Sequence, residues 1–145
     1  MIELIKTAQA MREFGSTIAC NTKLGTTIYL KGDLGVGKTT FVRGFLLGLG
    51  YKGYVKSPTF NLVEMYQVEE KTICHFDLYR LKDPEELVYT GAADCFNNRN
   101  ICLVEWPEHG EGFLQEANLT LHFDFAVNIK NRIVKVILRD LEKPI

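Results

Sequence analysis

The sequence predicts an α/β fold: a P-loop NTPase three-layer fold with a mixed parallel and antiparallel central sheet. Three observations predict it. Gly32-Asp33-Leu34-Gly35-Val36-Gly37-Lys38-Thr39 satisfies the phosphate-binding (Walker A) pattern G-x-x-x-x-G-K-[ST] in full. The apolar, β-rich run Thr26-Thr27-Ile28-Tyr29-Leu30 precedes it, and Thr40 to Leu47, which reads as helix, follows it. Two later pairs of strand-like runs read as antiparallel hairpins, which an all-parallel nucleotide-binding sheet does not contain.

Taken in order, the chain first places Met11, Phe14, Ile18 and Ala19 at helical intervals between about Thr7 and Cys20, with Thr7 as N-cap, so an amphipathic helix packs ahead of the first strand. After the phosphate loop, Gly48-Leu49-Gly50 stops the next helix and Tyr51 to Tyr54 reads as loop. Ser57-Pro58-Thr59-Phe60 leads into the β-rich run Phe60 to Tyr66, Glu69-Glu70-Lys71 turns the chain, and Thr72 to Asp77 returns it. Asp83-Pro84-Glu85-Glu86-Leu87 has a capping Asp, Pro at the first helical position and acids in the first turn, with Gly91 to close a short helix. Ile101-Cys102-Leu103-Val104 is an unbroken apolar run, a strand buried on both faces, ended by Glu105, Trp106 and Pro107. Leu119, Leu121, Phe123 and Phe125 alternate with polar residues, and after a turn at Asn128 to Asn131 the run Ile133 to Leu138 closes a second hairpin.

The residue types of the phosphate loop follow from what a triphosphate needs. Gly32, Gly35 and Gly37 permit positive φ and leave no side chain between backbone N–H groups and phosphate. The helix that starts near Gly37 aims its unpaired N–H groups and positive dipole end at the same place. Lys38 adds a point charge for the β- and γ-phosphates, and Thr39 offers a hard oxygen to Mg²⁺.

A chain of 145 residues makes one domain, 1–145, with room for a single core and no second catalytic domain. No apolar run approaches the ~20 residues that span a bilayer, and Met1 to Lys6 lacks a signal-peptide core, so the expectation is a cytoplasmic protein with no membrane association. The net charge of −1 gives no basic excess for holding nucleic acid directly, so any RNA is carried by a partner. Cys20, Cys74, Cys95 and Cys102 form no C-x-x-C pair and read as buried apolar residues in a reducing compartment.

In open α/β sheets ligands sit outside the carboxyl ends of the strands. Asp77 and Glu105 occupy two such ends and can converge on the phosphate loop as metal-binding or water-positioning groups, though spacing does not tell which of them touches the ion. Ser57-Pro58-Thr59-Phe60 has two readings: a switch whose hydroxyl senses the γ-phosphate or metal, and ordinary turn chemistry at strand entry. Trp106 is packing, or an indole that walls water from the site.

Four segments in this order and spacing make the chain closely resemble the TsaE family, the bacterial ATPases of tRNA threonylcarbamoyladenosine biosynthesis. They are Gly32 to Phe41 with Arg43-Gly44 behind it, Ser57 to Phe60, His75-Phe76-Asp77-Leu78-Tyr79-Arg80-Leu81, and Val104-Glu105-Trp106-Pro107-Glu108. The resemblance covers nearly the whole chain. It implies a compact P-loop fold, Mg²⁺ with ATP as substrate, slow intrinsic hydrolysis, and service to a TsaD–TsaB complex that acts on tRNA. It implies nucleotide binding by Gly32, Asp33, Leu34, Gly35, Val36, Gly37, Lys38, Thr39 and Thr40, and metal binding by Thr39 and Glu105. Lys38, Asp77 and Glu105 are its catalytic set, Ser57 and Thr59 its switch loop, and Trp106 a supporting residue. Where the family often carries Gly-Arg near the base this chain has Asn131-Arg132, which leaves Arg132 as a candidate base contact, and Met11 stands where many members have Thr.

The alternative from the residues alone is a small-molecule P-loop kinase, yet no arginine-rich lid follows the loop. A GTPase lacks its Asn-Lys-x-Asp sequence here, and Asp77-Leu78-Tyr79-Arg80 has no glycine at the D-x-x-G position. A nucleotide-binding adaptor would differ only in lacking turnover.

Overall fold

The first strand, β1 (Ile2–Ile5), and the helix after it, α1 (Ala8–Cys20), open the chain, and the Thr7 hydroxyl caps α1 by accepting from the Ala10 N–H at 3.0 Å. Then come β2 (Thr27–Lys31), α2 (Lys38–Gly48), β3 (Val63–Val68), β4 (Lys71–Asp77), the one-turn helix α3 (Glu86–Tyr89), β5 (Ile101–Glu105), β6 (Leu119–Phe125) and β7 (Val134–Asp140), with 3₁₀ turns at Ala92–Cys95 and Pro107–Gly110. This computed structural model describes residues 2–56, 58, 61–125 and 134–140. The candidate switch residues Ser57 and Thr59, Phe60, the expected turn at 128–131 and Arg132 lie outside the described residues.

The seven strands form one sheet in the order β1-β7-β6-β2-β5-β4-β3. Strands β6, β2, β5 and β4 run parallel, whereas β3 pairs antiparallel with β4, and β7 pairs antiparallel with both β6 and β1. The mixed sheet expected from the two hairpins is therefore present. A two-residue turn at Glu69 and Glu70 joins β3 to β4, with Glu69 at φ 56.

Alternation along the strands splits the core in two. Ile28, Leu30, Ile73, Ile101, Leu103, Leu121 and Phe123 meet α1 and α2 on one face, where Phe41 packs edge-on to Phe123 at 5.7 Å. Cys74, Phe76, Cys102 and Val104 meet Leu87, Ala92 and Cys95 on the other. The sheet thus has helical cover on both faces, and β5 is buried along its whole length, as its apolar run predicts.

Three details differ from the sequence reading. Strand β1 was not anticipated, because Ile2-Glu3-Leu4-Ile5 is too short to show a period and its pairing with β7 is tertiary. Cys20, expected to be buried, is exposed at the end of α1, while Cys74, Cys95 and Cys102 are buried as expected, and all four are free thiols. The expected short helix after Asp83 is a single turn that starts at Glu86 with Glu85 as its N-cap, so Asp83 and Pro84 stand ahead of it; Asp83 Oδ1 accepts from the Glu85 N–H at 3.0 Å, and Gly91 follows the helix at φ 76.

Candidate functional site

The phosphate loop lies between β2 and α2, outside the carboxyl ends of the parallel strands. Helix α2 begins behind Gly37, which sits at φ 115 and offers no side-chain cap, so the first N–H groups of α2 have no capping oxygen. Gly35, at φ 76, has nothing within 4 Å of where a Cβ would stand. Gly32 has a support role instead: a Cβ there would lie 2.6 Å from the Phe123 carbonyl oxygen, so the loop rests directly on β6. Val36 is buried beneath the loop and Asp33 is exposed. Met11 is buried in α1 and brings its Cε to 3.1 Å from the Cβ position of Gly37.

A cleft of about 1090 Å³ opens over the loop. Leu34, Gly35, Gly37, Lys38, Thr39 and Thr40 form one wall, and Asp77, Glu105 and Trp106 face them. Pro58, of the segment with the candidate switch residues, also lines it.

Strand period and register bring the two acids together. Residues 73, 75 and 77 of β4, and 101, 103 and 105 of β5, point to the α1–α2 face, and Asp77 and Glu105 are direct Cα partners. Glu105 is only 4% exposed, and its Oε2 lies 2.6 Å from Nε2 of the fully buried His75. Asp77 Oδ1 accepts from the Tyr79 N–H at 3.1 Å. Burial raises the Asp77 carboxyl above the usual carboxylate range, and the neighbouring Glu105 charge adds to this; the Tyr79 N–H, His75 and Lys38 oppose it.

Lys38 is 4% exposed and its ammonium donates to the Gly32 carbonyl oxygen. It also lies 4.0 Å from the centroid of the Trp106 ring, within cation–π range. Burial lowers its pKa, while Glu105, Asp77, Glu108 and Asp33 pull the other way. The indole is held in turn by Tyr79, 5.0 Å between ring centroids, and by His109, stacked at 5.6 Å and 25°. His109 is fixed by its Nδ1, which donates to the Leu78 carbonyl at 2.9 Å. Trp106 itself has φ 57 and ψ 50, a left-handed conformation that a bulky residue rarely adopts. That conformation turns the chain sharply after Glu105 and lays the indole on Lys38.

The donors suit Mg²⁺ with a nucleotide. The cleft offers the Thr39 hydroxyl and the carboxylates of Asp77 and Glu105, all hard oxygens. Among the described residues no group of three or more His, Cys, Asp or Glu side chains can hold a metal ion alone.

The structure therefore brings Lys38, Thr39, Asp77, Glu105 and Trp106 into one cleft. Sequence reasoning missed His75, Tyr79 and His109 as parts of the site. The signal for His75 was a histidine inside an apolar strand, two residues before a site acid and hence on the same face. Among the described residues no helix is long and apolar enough to cross a membrane.

Residues 5–134 match the family model described as threonylcarbamoyl adenosine biosynthesis protein TsaE. The chain is 48% identical over 127 residues to a tRNA threonylcarbamoyladenosine biosynthesis protein TsaE from Haemophilus influenzae, covering 84% of this chain and 80% of that one. It is 34% identical over 116 residues to the protein of the same name from Treponema pallidum, covering 80% and 85%. The crystal structure of YdiB from Bacillus subtilis superimposes with a TM-score of 0.78 at 26% identity, over 97% of this chain and 85% of that one.

Proposed function

Because the chain belongs to the TsaE family, we propose that it is a Mg²⁺-dependent ATPase of tRNA threonylcarbamoyladenosine biosynthesis. It acts in the cytoplasm as a nucleotide switch on a TsaD–TsaB complex and meets tRNA only through that complex. The observation that carries this reading is the pairing of Asp77 with Glu105 at adjacent strand ends, in the cleft that the phosphate loop and Lys38 line.

The triphosphate of ATP takes the uncapped N–H groups of α2, and Lys38 leaves the Gly32 carbonyl and the indole for the β- and γ-phosphates. The Thr39 hydroxyl and Glu105 would hold Mg²⁺, which would supply positive charge to offset that of the phosphates. Asp77 uses Oδ1 for the Tyr79 N–H, leaving Oδ2 to orient a water. The water oxygen bonds to the γ-phosphorus as the bond to the bridging oxygen of ADP breaks. The raised pKa of Asp77 suits it to take the water's proton. Trp106, which lines the cleft, and its aromatic neighbours shield this step from bulk water.

One observation favours a second reading. The cleft continues past Asp77 along Arg80, Leu81, Glu86, Thr90 and Ala92, where a phosphate acceptor fits, so a small-molecule kinase is the alternative. Following γ-labelled ATP distinguishes the two. Free phosphate, released slowly by the chain alone and faster with TsaD, TsaB and tRNA, is the expected result. Label on a small metabolite, unaffected by those partners, would sink the switch and leave the kinase.

A further inference from the structure

His75 is a buried polar side chain that the proposed mechanism does not use. It is 0% exposed, inside the face that packs on α1 and α2, and its Nδ1 has no hydrogen-bond partner among the described residues. Burying an imidazole this way costs stability compared with an apolar side chain, so its retention calls for a return elsewhere. The contact that its ring makes is Nε2 to Glu105 Oε2 at 2.6 Å.

The two residues are diagonal neighbours. His75 pairs with Leu103 in the β4–β5 register, and Glu105 stands two positions further along the same face. The ring proton belongs on Nε2, because on Nδ1 it would be a buried donor with no acceptor. Nε2–H therefore donates to Oε2 and ties one carboxylate oxygen to the sheet, in a rotamer that lines the cleft.

We propose that His75 is a positioning residue that holds Glu105 Oε2 and thereby presents Oε1 to the Mg²⁺ of the bound nucleotide. This rests on Glu105 being the metal-binding acid of the proposed function. Hydrogen-bonded partners of ligating carboxylates are worth about 10–100-fold in metal affinity, which sets the size of the expected effect.

The test compares the intact chain with His75→Phe, which keeps the ring volume without the donor, and His75→Gln, whose amide nitrogen reaches where Nε2 stood. The readout is the Mg²⁺ concentration that half-saturates tight binding of a non-hydrolysable ATP analogue, with metal-free analogue binding and thermal melting measured alongside. His75→Phe is expected to need about tenfold more Mg²⁺ or worse, to bind the metal-free analogue as before, and His75→Gln to recover most of the loss. An unchanged Mg²⁺ requirement in a folded His75→Phe overturns the proposal.

Should His75→Phe fail to fold, ¹⁵N NMR of the histidine rings in the unmutated chain decides. The expected result is a His75 proton on Nε2 whose signal shifts when Mg²⁺ is added to the analogue complex. A proton on Nδ1, or a signal that Mg²⁺ leaves unmoved, overturns it. Glu105→Gln separates the two layers of inference. If it too leaves the Mg²⁺ requirement unchanged, the metal role of Glu105 fails; if it raises the requirement and His75→Phe does not, only the role of His75 fails.

Discussion

The ammonium of Lys38 lies 4.0 Å from the centre of the Trp106 ring, and Trp106 is the sole tryptophan of the chain. An incoming triphosphate draws the charge off the indole, so ATP should produce a saturable change in tryptophan emission. Lys38→Ala should weaken triphosphate binding by about 10–100-fold, the equivalent of one charge-assisted hydrogen bond. It should also remove most of the emission change, as titration at matched saturation would show.

Burial lowers the pKa of Lys38, so in the window between that lowered value and the ordinary lysine value the unfolded chain binds the extra proton. Stability of the nucleotide-free chain should rise with pH through this alkaline window, while triphosphate affinity falls as the charge is lost. Lys38→Met should flatten both profiles, which melting curves and binding titrations across pH would reveal.

Asp77 has the opposite shift. Between the unfolded carboxylate value and its raised folded value the folded chain holds the extra proton, so the contribution of Asp77 to stability declines as pH rises through that window and stays unfavourable at neutral pH. Asp77→Asn keeps an oxygen for the Tyr79 N–H. It should raise the neutral-pH melting temperature and lower hydrolysis about 100-fold or more, the scale of a lost general base. A variant both less stable and fully active would refute the role given to this carboxylate.

Glu105→Ala and Glu105→Gln should separate chemistry from folding. Glu105→Ala should abolish hydrolysis, and the contact with His75 means that it should also weaken the fold. Alanine strips the acceptor from a buried ring nitrogen, at a cost of about 1–3 kcal/mol. Glutamine retains an oxygen there, so it should fold nearly as the unmutated chain and still lose hydrolysis. Denaturant unfolding and phosphate release on the two variants check this.

Gly44→Ala should be severely destabilising although Gly44 does not line the cleft. A Cβ at Gly44 would fall 2.1 Å from the Arg12 carbonyl oxygen, so α1 must move, at about 1–3 kcal/mol or more. The control is Gly50→Ala, where open space surrounds the Cβ position and only the positive φ opposes the change.

The phosphate loop, both hairpins and β5 were legible because each rests on local signals: a fixed spacing, a period of two, an unbroken apolar run. Asp77 and Glu105 could be placed at strand ends, but their pairing could not, since it follows from β4 lying next to β5 in the sheet. The period of two puts His75 on the face of Asp77, but its contact with Glu105 could not be read for the same reason: that partner is thirty residues away in sequence. The turn of Trp106 onto Lys38 depends on a positive φ that no residue type announces when the residue is not glycine. Strand β1 needed β7, and only Ile5 of its four residues is buried.

Gly15, Gly44 and Gly48 let α1 and α2 touch backbone to backbone, with Cβ positions at 2.4 Å from the Phe41 oxygen, 2.1 Å from the Arg12 oxygen and 2.6 Å from the Ser16 hydroxyl. Two helices in such contact cannot separate without opening a gap along their whole seam. Their amide protons should therefore exchange with solvent as one unit, in a single opening event rather than by α1 peeling away first. Because the phosphate loop runs into the first residue of α2, a nucleotide that steadies the loop should slow exchange in α1 as well, on a helix whose residues do not line the cleft.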